Sequence, residues 1–136
     1  MSKWMIVLPP EGAARQVGEY VIEAFVGLLP EGTTRVFDTK TYLTAFDSLL
    51  KKPDDDITVD LLNQSLVVNS LDAQVSHVLV LALSPVTVFA LQLLRRQGVK
   101  TVHWFYEDFR VAHYWKDVLA GYDYFCAVQK NELQQE

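Results

Sequence analysis

The sequence predicts an α/β fold, a three-layer sandwich around a parallel five-stranded sheet of order 2-1-3-4-5, flavodoxin- or Rossmann-like. Three observations carry this expectation. Short apolar runs alternate with helical patterns along the chain, as βαβ units require. Two of those runs, HVLVLAL and KTVHWFY, are nearly continuous in apolar character, as strands buried on both faces must be. Right-handed crossovers leave few topologies, and the simplest puts a long two-helix crossover between the second and third strands.

Each element has its own justification. Trp4 to Leu8 is a short apolar run stopped by Pro9-Pro10, a buried first strand. Val17, Tyr20, Val21, Ala24, Phe25 and Leu28 recur at the spacing of one helix face, and Pro30 with Gly32 ends that helix. Residues 34–37 form a second strand. Asp38 or Thr39 can cap a helix whose apolar face is Tyr42, Leu43, Phe46, Leu49 and Leu50. Pro53 and the acidic run 54–56 break it, and Asp55 or Asp56 can cap the next helix, roughly residues 58–72. The third strand, residues 77–83, is the strongest strand signal. Ser84-Pro85 then reads as a hydroxyl N-cap with proline at the first helical position. The helix behind it carries Val86, Phe89, Ala90, Leu93 and Leu94, and closes on Arg95-Arg96 near the negative end of its dipole, with Gly98 beyond. A fourth strand ends abruptly at Glu107-Asp108. A short helix near residues 111–120 and a fifth strand at 124–128 follow, and NELQQE reads as the start of another helix or a frayed tail.

With 136 residues, the chain is one domain, able to bury roughly 68% of its unfolded surface. No internal repeat, low-complexity segment or flexible linker divides it. Seventeen acidic against twelve basic residues give a net charge of −5, which argues against a duplex nucleic-acid binder with a basic face. Cys126 is the only cysteine, so neither an internal disulfide nor a thiolate metal cage can form, and a reducing, cytoplasmic setting fits. The opening MSKWMIVLPPEG is too short for a signal peptide, and no run approaches the ~20 apolar residues that span a bilayer.

In the predicted sheet order, ligands belong at the carboxyl ends of the strands, at the switch point between strands one and three. The loops there carry Glu11 and Gly12 from Pro9-Pro10-Glu11-Gly12, and Ser84 from Ser84-Pro85. Glu107 and Asp108 end the neighbouring strand, followed by Arg110 and His113. Pro-Pro-Glu-Gly equally serves as a turn into a helix, and Ser84 as a cap whose proline removes a donor that a phosphate would want. Two carboxylates ending a deeply apolar strand favour function. His103 alternates with apolar neighbours and reads as a packed core residue, His77 as structural, and Cys126 as a small core hydrophobe. His113 falls off the apolar stripe of its short helix. No glycine-rich phosphate loop, nucleophile elbow or metal-ligand spacing is present, so a Rossmann dinucleotide site, a P-loop and a metal site are not expected.

The stretch HWFYEDFRVAHYWKDVLAGYDYFCAV (residues 103–128) resembles part of the N-terminal domain of bacterial GT-B glycosyltransferases of the spore-maturation-protein (CgeB)-like group. The resembling features are Trp104-Phe105-Tyr106-Glu107-Asp108, then a short helix, then Tyr122-Asp123-Tyr124-Phe125 running into an apolar strand and Gln129-Lys130. LRRQGVKTV (residues 94–102) is similar to that family's helix-to-strand step. The resemblance covers roughly the last third of the chain. It implies the acceptor-side half of a two-domain, metal-independent sugar transferase that needs no cofactor. Its partners would be a sugar acceptor and a C-terminal domain that holds the nucleotide-sugar donor. Glu107, Asp108 or His113 would orient the acceptor hydroxyl or act as general base, with Glu11, Gly12, Ser84 and Arg110 binding substrate. The donor domain is not in this sequence, so the chain alone is expected to be inactive, and its exposed end could self-associate into a homo-oligomer. Ending soon after the fifth strand suits a complete flavodoxin-like domain and equally the front half of a longer protein. Two other readings stay open: a freestanding flavodoxin-like ligand-binding or protein-interaction module, and a small hydrolase using Glu107 or Asp108.

Overall fold

The computed structural model describes residues 2–50, 55–106, 116 and 119–127. Five strands form one sheet: β1 (Trp4–Leu8), β2 (Thr34–Asp38), β3 (His77–Leu81), β4 (Lys100–Phe105) and β5 (Tyr124–Ala127). Every pairing is parallel, and the order is β2-β1-β3-β4-β5, as the sequence predicts. Four helices are described, α1 (Gly12–Leu28), α2 (Thr39–Leu49), α3 (Asp55–Asp72) and α4 (Val88–Arg96), with a 3₁₀ turn at Leu119–Gly121.

Alternation along the strands divides the core into two layers. Met5, Val7, Val78 and Val80 face α3 and α4, where they meet Leu62, Leu66, Leu91 and Leu94. Ile6, Leu8, Leu79 and Leu81 face α1 through Val21, Ile22 and Phe25. Register sets the second layer in rows, with Ile6 beside Leu79, Leu79 beside Val102, and Val102 beside Tyr124.

Helix α1 is rotated from the face its periodicity predicts. Ala14, Gly18 and Val21 point inward, whereas Val17, Tyr20 and Leu28 are exposed. Close approach to the sheet decides this. A Cβ on Gly18 would lie 2.7 Å from Leu8 Cδ1 and 3.0 Å from Leu81 Cδ1, so only the smallest residue lets the helix settle there.

The start of α4 also differs. Thr87 is the N-cap, and its Oγ1 accepts from Ala90 N at 3.3 Å. Ser84-Pro85 belongs to the preceding loop. Asn63 of α3 holds that loop: its Oδ1 accepts from Thr87 N at 2.9 Å, and its Nδ2 donates to Pro85 O at 2.9 Å. Starting the helix there turns Leu91 and Leu94 inward and leaves Phe89 exposed. Leu49 is likewise exposed at the end of α2. Asp38, rather than Thr39, caps α2 by accepting from Lys40 N at 3.0 Å. Thr39 is buried, and its hydroxyl donates to Leu8 O at 2.6 Å.

His103 is buried as expected, beside Tyr122 and Phe125. Cys126 is exposed, not a core residue, because exposure alternates along β5 and it falls on the same side as the exposed Tyr124. Asp123 ties β5 to β4: Oδ2 accepts from Thr101 N at 2.8 Å and Thr101 Oγ1 at 3.2 Å, while Arg95 Nε pairs with Oδ1 at 3.1 Å. Burial alone would raise this carboxyl's pKa, but those donors together with the Arg95 and Lys100 charges outweigh it, and the net shift is downward.

Candidate functional site

All five strands run the same way, so their carboxyl ends share one edge. Four features meet along it. The first is the turn from β1 into α1. Gly12 sits at φ +75°, in the left-handed region that costs a side-chain-bearing residue about 1–2 kcal/mol. Glu11 is the N-cap in extended conformation, with no side-chain capping bond. Arg15 locks the turn: its Nη1 donates to Pro9 O at 3.2 Å, and both terminal nitrogens bond Asp38, at 2.7 and 2.9 Å. That two-pronged bond holds the Asp38 carboxyl below the usual aspartate range against the opposing pull of burial, and raises the guanidinium's pKa in turn. A polar cleft of about 530 Å³ opens beside it, lined by Glu11, Gly12, Arg15, Lys40 and Asp47.

The second feature is the turn after β3. Leu83 adopts φ +64°, a conformation that non-glycine residues rarely hold and that clusters at functional sites. Ser84 next to it is buried, and its hydroxyl points back toward Val7 O at 3.4 Å. The third is Tyr106, which leaves β4 and crosses to α1, where its hydroxyl donates to Ala14 O at 2.7 Å. The switch-point crevice on the α1 side is therefore narrowed by Tyr106, and its two prolines offer no backbone donors.

The fourth feature lies on the opposite face. Between α3 and the start of α4 is a groove of about 310 Å³ whose lining includes Asp60, Asn63, Gln64, Thr87 and Phe89. Its floor is apolar, from Val67, Ala90 and Leu93. Asn63 is buried and fully committed, since Nδ2 also donates to Val59 O at 2.8 Å. Phe89 is 68% exposed. Asp60 and Gln64 are exposed one turn apart on α3, which places both on one helix face.

Of the residues expected from sequence, Glu11 and Gly12 share the polar cleft, and Ser84 lies one loop away with its hydroxyl turned inward. Glu107, Asp108, Arg110 and His113 lie outside the described residues; Tyr106, the residue before Glu107, is the last described at this point of the edge. The α3–α4 groove was not foreseen. Its one legible signal is Asn63, an amide inside the apolar stripe made by Leu62 and Leu66. Among the described residues, no group of three or more histidine, cysteine, aspartate or glutamate side chains could hold a metal ion. Nor is any helix among them long and apolar enough to cross a membrane. Comparison with protein-family models, with curated proteins and with solved structures finds no match to this chain.

Proposed function

We propose that this chain is the acceptor-side domain of a sugar transferase, with the nucleotide-sugar donor held by a second α/β domain. The observation that carries the reading is the α3–α4 groove at the carboxyl edge. An exposed aromatic ring, Phe89, stands beside a carboxylate, an amide and a hydroxyl, those of Asp60, Gln64 and Thr87. A sugar ring presents an apolar C–H face for the aromatic and hydroxyls that both donate and accept, so it matches this mixed lining. The resemblance of residues 103–128 to GT-B N-terminal domains supports the same reading. In it, Glu107, Asp108 or His113 orients the acceptor hydroxyl or removes its proton, which demands hydrogen-bond reach to that hydroxyl.

The test is an amide-resolved NMR titration of the ¹⁵N-labelled chain with a panel of mono- and disaccharides, with UDP-glucose and with flavin mononucleotide. Sugars are expected to shift amides of residues 60–64 and 87–93, and Phe89→Ala to weaken that binding about tenfold, the loss of one stacking anchor. No sugar response at tens of millimolar would sink the acceptor reading. Flavin or nucleotide binding at residues 9–15 would replace it with a freestanding flavodoxin-like binding module.

A further inference from the structure

We propose that the amino edge of the sheet, opposite the candidate site, carries a second binding site, one that takes the phosphate group of a small phosphomonoester. The chain builds it where α4 ends. Gly98, at φ +81°, lets the backbone reverse there: its N–H donates to Arg95 O and that of Val99 to Leu94 O, both at 3.0 Å. This double closure stops the helix and returns the chain directly into β4. Lys100, the first residue of β4, is thereby set beside the last turn of α4. Asp123 stands at the entry of the neighbouring strand β5, bonded to Thr101. The result is a cleft of about 580 Å³ whose lining includes Gln92, Arg95, Arg96, Lys100 and Asp123.

Three of those side chains are cations, in a chain of net charge −5. Gln92, Arg95 and Arg96 share one side of α4 by their spacing of three and four. Arg95 is anchored: its Nε pairs with Asp123 Oδ1 at 3.1 Å, and Asp123 Oδ2 is itself fixed by Thr101 N and Oγ1. An anchored Nε leaves the two outer guanidinium nitrogens for a ligand, in the fork that matches two oxygens of a phosphate. Arg96 and Lys100 are exposed, and their side chains make no ion pair among the described residues. The negative end of the α4 dipole, equivalent to about half a charge, accounts for cations on the last turn of the helix. It does not account for Lys100, which belongs to a strand.

Charge and donor count select the occupant. Three cations against one carboxylate and the helix end leave an excess of about 1.5 positive charges. A phosphomonoester at neutral pH carries about −1.5 to −2, with three strongly accepting oxygens. Apart from the Gln92 amide, the side-chain groups left to a ligand are donors, because the Asp123 carboxylate already accepts from Thr101 and Arg95. An acceptor-rich dianion fits this set, whereas a neutral sugar leaves the charge unanswered. The backbone cannot share the task. The N–H groups of Gln97, Gly98, Val99 and Lys100 are spent on Leu94 O, Arg95 O, Leu94 O and Ser76 O. Side chains alone must hold the ligand, so affinity depends on each cation separately.

The test titrates the full chain at pH 7.5 and constant ionic strength with glycerol 3-phosphate. Dimethyl phosphate serves as a singly charged analogue and succinate as a dicarboxylate of equal charge. Glycerol 3-phosphate is expected to shift the amides of residues 95–101 and 123 in NMR spectra, and to bind about tenfold more tightly than either analogue. Arg96→Gln and Lys100→Gln, both at exposed positions, should each weaken it about tenfold without changing the circular dichroism. Arg35→Gln, which removes one cation from the far edge strand β2, should leave binding unchanged. The absence of shifts at residues 95–101 at tens of millimolar would overturn the proposal. Equal binding of succinate would overturn the phosphate assignment, and equal weakening by Arg35→Gln would reduce the site to general attraction. The sugar response at residues 60–64 is read from other amides, so the two readings stand or fall separately.

Discussion

His103 is the residue whose surroundings constrain its chemistry most. It is 1% exposed, with the rings of Tyr122 and Phe125 centred 4.8 and 5.1 Å away. Burial disfavours the imidazolium and lowers the pKa from 6.5 to about 4. Between those values the unfolded chain binds a proton that the native state does not. Its contribution to stability is therefore complete above pH 6.5 and is lost progressively as the pH falls toward 4. The full difference is about 3 kcal/mol, at roughly 1.4 kcal/mol per pH unit. Asp38 and Asp123, both held below the ordinary aspartate value of 3.8, lose their contributions only at lower pH. Urea unfolding at pH 7 and pH 4.5 should thus show a marked loss for the native sequence. His103→Phe, which keeps a ring among rings, should flatten the dependence across this window. An unchanged pH slope in the variant would assign the loss to other groups.

At the scale of elements, the docking of α1 turns on Gly18. Glycine in a helix interior costs up to about 1 kcal/mol relative to alanine, so propensity alone would favour Gly18→Ala. The Cβ, however, would strike Leu8 and Leu81, which are 4% and 0% exposed and have little room to move; overpacking of this kind costs about 1–3 kcal/mol. Gly18→Ala should lower the thermal midpoint, whereas Gly27→Ala, with nothing within 4 Å of its Cβ, should leave it unchanged or raise it slightly. A stabilising Gly18→Ala would mean that the helix rides higher on the sheet than described. The same residue explains what could be read from sequence and what could not. Strand identity and order follow from apolar runs and crossover handedness, which are local and chiral rules. Which flank of α1 turns inward depends on van der Waals contact with two leucines from β1 and β3, and periodicity does not contain that distance. Likewise Ser84-Pro85 carries the local signature of a helix start, but Asn63, 24 residues before Thr87, decides where α4 begins. Glu11 and Gly12 were legible because a turn after the first strand must lie at the ligand edge. The α3–α4 groove was not, because it joins residues of two helices that only the tertiary fold brings together.

Across the whole molecule the two faces of the sheet are covered unequally, and this should grade its local stability. On one face, α3 and α4 pack over β1 and β3, whose Val7, Val78 and Val80 are fully buried. On the other, α1 alone among the described helices seals the centre, and β4 and β5 are only partly screened. Position within the sheet adds to this. β1 pairs with β2 and β3, and β3 with β1 and β4, whereas β5 is described with β4 as its neighbour. A strand with partners on both sides and cover on both faces opens only with the domain, while an edge strand open on one face can detach at lower cost. Asp123 counters this at the start of β5 by binding Thr101 and Arg95, and so protects the entry of the strand more than its end. Native-state hydrogen exchange should therefore rank β1 and β3 as most protected, exchanging near the global unfolding free energy. β4 should come next, and the amides of Phe125 to Ala127 should exchange through local opening at a small fraction of that value. If the amides of β5 prove as slow as those of β3, strand position and the cover given by the described helices do not set the local stability of this sheet.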